Sequence, residues 1–119
     1  MRTSIIIAAW LCAVLSVGSA QAHAFLDRAS PAVGSAVQAA PHEVVLTFTQ
    51  NLEAAFSAVQ VFDAGGGRVD QGKAQVSGNT MRIALKALKA GSYKVHWHAL
   101  SVDTHTTEGS FSFTVGGSQ

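Results

Sequence analysis

Cysteine, methionine and proline are all scarce in this chain of 119 residues, with one, two and two copies respectively. The single cysteine, Cys12, sits inside the apolar run Ile5–Val17. That run is 13 residues long, short of the roughly 20 that cross a bilayer. It follows the positive start Met1-Arg2-Thr3 and precedes the small-residue stretch Gly18-Ser-Ala-Gln-Ala22. Charge, apolar run and small-residue site in that order predict a secretory signal peptide over 1–22, cut after Ala20-Gln21-Ala22. Trp10-Leu11 places no small residue ahead of Cys12, which argues against lipoprotein processing. With Cys12 removed, the predicted mature domain 23–119 has no disulfide and no thiolate for a soft metal site, and no membrane anchor is expected in it.

Charge is scarce too. Charged residues make up 13% of the chain and the net charge is +1. Without Arg2 the mature part carries seven Lys/Arg and seven Asp/Glu. A neutral domain has no basic field to recruit nucleic acid or an anionic membrane surface.

What the chain does contain is short alternating strands. Val44, Leu46 and Phe48 alternate with polar positions, as do Val59 with Val61, and Met81 with Ile83 and Leu85. Tyr93, Val95, Trp97 and Ala99 form the longest series, and Phe111 with Phe113 the last. Turn signals stand between them at Ser30-Pro31, Gly34-Ser35, Ala40-Pro41, Gly65-Gly-Gly67, Ser77-Gly-Asn79 and Ala90-Gly-Ser92. Arg68–Val76 is weakly patterned and reads as an edge strand, while Leu52 and Phe56 are expected to cap the core from a connection. The pattern predicts an all-β fold, an antiparallel Greek-key sandwich or barrel of about seven strands, of the immunoglobulin or cupredoxin type.

Five histidines and a few carboxylates carry the candidate chemistry. Cleavage after Ala22 would leave His23 at a free N-terminus. There its α-amine and imidazole Nδ1 can chelate one copper ion in a six-membered ring, and the amine, with a pKa of about 7.7–8.0, gives up its proton near neutrality. Cleavage after Ala24 would instead remove His23. Asp103 and His105 lie two residues apart in His98-Ala-Leu-Ser-Val-Asp103-Thr-His105. In extended chain they point to one side and can converge on one ion; the plainer reading is a turn aspartate beside an exposed histidine. His42 reads as a surface loop histidine. His96 and His98 share the face opposite Trp97, either as solvated side chains or as a weaker divalent-metal patch.

Essentially the whole of the predicted mature chain resembles the CopC family of periplasmic copper-resistance proteins. The likeness runs in order through His23-Ala-Phe-Leu26, Ser30-Pro31-Ala-x-Gly34, Ala40-Pro41, Leu46-Thr-Phe48, Ala90-Gly-Ser-Tyr93-Lys-Val-x-Trp97, Ser101-x-Asp103-x-His105 and Gly109-Ser-Phe-Ser-Phe113. It implies a periplasmic protein that binds one Cu(II) per chain through His23, Asp103 and His105. It also implies a role in buffering or carrying copper in homeostasis and resistance, with an inner-membrane importer of the CopD type as partner. Where some members have a glutamate near the site this chain has Gln50, a poorer ligand that is left out of the set. The Met-rich segment by which other members hold Cu(I) is missing; Met81 is the only methionine after Met1, and one thioether makes no soft cage.

Two other readings compete. A histidine brace of this kind also resembles copper-dependent polysaccharide monooxygenases, but Asp103 would fill part of the shell such enzymes keep open. No nucleophile, base and oxyanion-stabiliser constellation accompanies it, so no enzyme is expected. A metal-free sandwich used as an interaction module would be indifferent to changes at His23 or His105.

Overall fold

Alternation of apolar and polar residues becomes eight strands in the computed structural model, which describes residues 25–116. His23 and the expected signal peptide lie outside the described residues. The strands are β1 (Leu26–Ser30), β2 (Ala36–Val37), β3 (Glu43–Phe48), β4 (Ala58–Asp63), β5 (Asp70–Ser77), β6 (Thr80–Leu85), β7 (Gly91–Leu100) and β8 (Thr106–Val115). They form two four-stranded sheets, in the orders β1-β3-β6-β5 and β2-β8-β7-β4. The chain changes sheet at every step from β1 to β5, and again between β6 and β7. Only β5–β6 and β7–β8 are hairpins within one sheet. This is the expected Greek-key sandwich.

The core is the set of alternating residues read from the sequence. Val44, Leu46, Val61, Met81, Val95 and Ala99 have no exposed surface, and Phe48 and Phe113 almost none. Each such large aliphatic or aromatic side chain contributes about 1.5–3 kcal/mol by leaving water, before conformational entropy is subtracted. Trp97 lies edge-on to Phe48 with ring centroids 5.1 Å apart, and Tyr93 stacks on Phe113 at 5.5 Å. Across the hairpin Trp97 is paired with Gly109, whose missing side chain makes room for the indole.

Two details depart from the sequence reading. The sandwich includes one parallel pairing: Ala36 and Val37 lie alongside Thr114 and Val115. The link from β1 crosses to the open edge of the second sheet, where Gly34 N donates to Ser112 O and Gly116 N to Val37 O. Two residues paired mainly through backbone leave no alternation to read. Leu52 does cap the core, 6% exposed, but Phe56 is 61% exposed. A bridge to Ser101 draws Leu52 inward, while the short 3-10 turn Ala54–Phe56 carries Phe56 out.

The weakly patterned segment is indeed an edge strand, and its pairing with β6 breaks between Gln71 and Gln75, around Gly72 at φ +79°. That irregularity blunts an edge that would otherwise offer itself to another chain. The same strand begins at Asp70, a buried carboxylate the sequence does not announce. It accepts from Val61 N at 2.7 Å and from Arg68 Nε and Nη2 at 2.9 and 2.8 Å. Burial pushes its pKa up, but the Arg68 and Val61 hydrogen bonds outweigh burial and hold it below the ordinary carboxylate value.

Candidate metal centre

Strands β7 and β8 pair without interruption up to Leu100 and Thr106, so five residues, 101–105, must reverse the chain. Thr104 N closes a turn on Ser101 O at 2.8 Å, and Ser101 N donates to His105 O at 3.0 Å. Thr104 carries the strain, with φ at 71° in the left-handed region that a β-branched residue seldom enters. The turn directs Asp103 and His105 to the same side. His105 Nδ1 lies 3.3 Å from Asp103 Oδ1, and the backbone N–H of His105 is 3.4 Å from the same oxygen. Both side chains are open to solvent, 40% and 52% exposed.

Beneath them Ser101 is fully buried, and its Oγ donates to Asp103 Oδ1. His105 O also lies 3.3 Å from that hydroxyl. A serine has one proton to give, and Asp103 is the nearer acceptor. This hydrogen bond is the main reason that the Asp103 carboxyl is held below its ordinary pKa; desolvation opposes it, and smaller contributions from His105 add to it. Asp103 is thus fixed as a carboxylate, with Oδ1 occupied and Oδ2 lacking a hydrogen-bond partner among the described residues. A charged oxygen beside an imidazole, both at the surface, is a donor pair for a borderline divalent ion. Sequence reasoning gave Ser101 no role; the only signal was a small hydroxyl residue two positions ahead of the aspartate.

The pair is half a site. Among the described residues no three His, Cys, Asp or Glu side chains are gathered round one point. The N-terminal end of the described chain comes to the same end of the sandwich. Phe25 N donates to Thr49 Oγ1 and Thr49 N to Phe25 O, each at 2.9 Å. Two residues on, Asn51 O accepts from Val102 N at 3.0 Å, and Glu53 N reaches Leu100 O at 2.8 Å. The segment 49–53 therefore ties Phe25 on one side to the Ser101–His105 loop on the other. Gln50 lies within it.

The remaining histidines are elsewhere. His42 is exposed at the start of β3, the far end of the sandwich from the loop, about 20 Å away along six residues of strand. His96 and His98 stand on the outer face of β7, half-buried, while Trp97 faces the core as expected.

Comparison with known proteins bears on the family and the fold. The CopC domain profile matches residues 26–116. Copper resistance protein C of Pseudomonas syringae pv. tomato is 40% identical over 105 residues, covering 81% of this chain and 82% of that protein. The crystal structure of CopC from Methylosinus trichosporium OB3b superposes with a TM-score of 0.76 at 33% identity, over 82% of this chain and 97% of that one. Copper transport protein CutJ of Bacillus subtilis is 30% identical over 99 residues, but the match spans only 18% of its length. Among the described residues no helix is long and apolar enough to cross a membrane.

Proposed function

The chain belongs to the CopC family, and from that membership we propose that its exported form binds one Cu(II) ion and buffers or carries it in copper homeostasis and resistance. The ligands in this reading are the α-amine and imidazole of His23, an imidazole nitrogen of His105 and a carboxylate oxygen of Asp103. Removal of residues 1–22 creates the amine, so export and metal competence are one event. The periplasm is the compartment, and an inner-membrane importer of the CopD type is the recipient.

The observation that carries the proposal is the tie from Phe25 through Thr49–Asn51 to Val102. His23 precedes Phe25 by two residues, a reach of about 7 Å in extended chain. The donor set suits the ion. Nitrogen donors with one carboxylate oxygen fit Cu(II), and nothing soft is present to favour Cu(I). Asp103, kept ionised by Ser101, also removes one unit of the ion's charge.

The test is a copper titration of the exported protein after its N-terminus has been identified by intact mass. One tight Cu(II) equivalent, lost in His105→Ala and in Asp103→Asn, is the expected result. Two tight equivalents, a tight Cu(I) complex or an N-terminus at Phe25 would overturn it.

A further inference from the structure

Away from the loop, the outer face of the β4–β7–β8 sheet brings together a second set of donors. In register, His98 stands directly opposite Glu108 on β8 and opposite Ala58 on β4, while His96 stands opposite Ser110 and Gln60. Residues on one face of paired strands, direct or diagonal, lie within reach of each other's long side chains. We propose that His96, His98 and Glu108, with the Gln60 amide oxygen as a further donor, form a second and weaker divalent-metal site of the Zn2+ class.

Three observations support it. First, His96 Nε2 lies 3.9 Å from Glu108 Oε2, a gap that two metal–ligand bonds of about 2.0–2.2 Å can bridge. Second, His96 Nδ1 is 3.0 Å from Ser110 Oγ. An ion at Nε2 selects the tautomer in which Nδ1–H donates to that hydroxyl, the support that metal-bound histidines ordinarily receive. Third, Ala58 is the smallest side chain that could face His98 and still have a Cβ. It leaves a hollow of about 190 Å³ lined by Ala58, Gln60, His96, His98 and Glu108. The three ligands line this hollow without converging on one point. Closing the set takes side-chain rotation of His98 and of Glu108, which is 64% exposed and turns in solvent.

The site is weaker than the loop site for two reasons. It has no chelating N-terminus, and Lys94, two residues before His96 on the same face, opposes a cation. Zinc rather than Cu(I) follows from two imidazoles and a carboxylate without sulfur.

The experiment is a calorimetric Zn2+ titration of the exported protein carrying His105→Ala, in which the loop site is broken whether or not the Cu(II) reading holds. Zn2+ uptake should persist in that background. His98→Ala or Glu108→Gln added to it should abolish or severely weaken uptake, and Ser110→Ala should weaken it about tenfold. In the unaltered protein the ring resonances of His96 and His98 should shift with added Zn2+. Absence of saturable uptake in the His105→Ala protein overturns the proposal. So does uptake indifferent to His98→Ala and Glu108→Gln, or unmoved ring resonances. Failure of the Cu(II) titration at the loop would leave these outcomes untouched.

Discussion

Ser101, with no exposed surface, donates its hydroxyl proton to Asp103, a carboxylate at the surface above it. One buried serine thus sets both the charge and the orientation of a candidate ligand. Ser101→Ala removes that donor while leaving the Leu52–Ser101 backbone bridge in place. Cu(II) affinity should fall about tenfold, the usual size of a lost supporting contact to a ligand. Chelator competition measures it, and an unchanged thermal midpoint would show that the loss is local.

Acid should release the metal in a set order. Protons compete with the metal for the amine and for both imidazoles. Asp103 follows only at lower pH, since Ser101 holds its carboxyl below the ordinary value. Cu(II) binding should therefore weaken as acid is added, before the Asp103 carboxylate is protonated. A competition series between pH 7 and pH 4 would display the order.

The stability of the empty sandwich should depend on acid through a different residue. Asp70 has a folded pKa below its unfolded one, so its contribution is complete above the unfolded value of about 3.9 and disappears as pH falls through the folded value. Asp70→Ala strands Val61 N–H and the Arg68 guanidinium, a cost of about 1–3 kcal/mol at neutral pH. Urea midpoints at pH 7 and pH 3 should differ less in the variant than in the parent.

The hairpin that carries the loop is sensitive at Gly109. A Cβ built there would lie 2.8 Å from Trp97 Cζ2, and the indole, packed on Phe48, has little room to move. Gly109→Ala should destabilise the fold by about 1–3 kcal/mol, as overpacking of cores does. Thermal or urea unfolding would register it.

The sequence made the strands legible where side chains alternate, because burial on one face is what fixes register. Val44 to Phe48 and Tyr93 to Ala99 are the plainest cases. It was opaque where the backbone does the binding, as in the two-residue parallel strand Ala36–Val37. It misled at Phe56, since an apolar residue in a connection can cap the core or lie outside it, and only the turn geometry decides. At the candidate centre, Asp103 and His105 were legible as close neighbours, but the turn at Ser101–His105, with Thr104 at φ 71°, and not an extended chain, puts them on one side. Ser101 was not, because a hydroxyl gives no hint of its burial. Asp70 was opaque for the same reason, and its strand pattern is weak. His23 lies outside the described residues, and what brings the described chain toward the loop is the Phe25–Thr49 pair of hydrogen bonds.

The most direct test of the central claim compares Cu(II) affinity for the exported protein beginning at His23 with that of the same protein bearing one extra residue ahead of His23. The addition leaves every described residue and both imidazoles in place, but moves the free amine away from the His23 ring. Affinity is expected to fall to that of a site without the amine–imidazole chelate, with the fold unchanged. Equal affinity in the two proteins would contradict it.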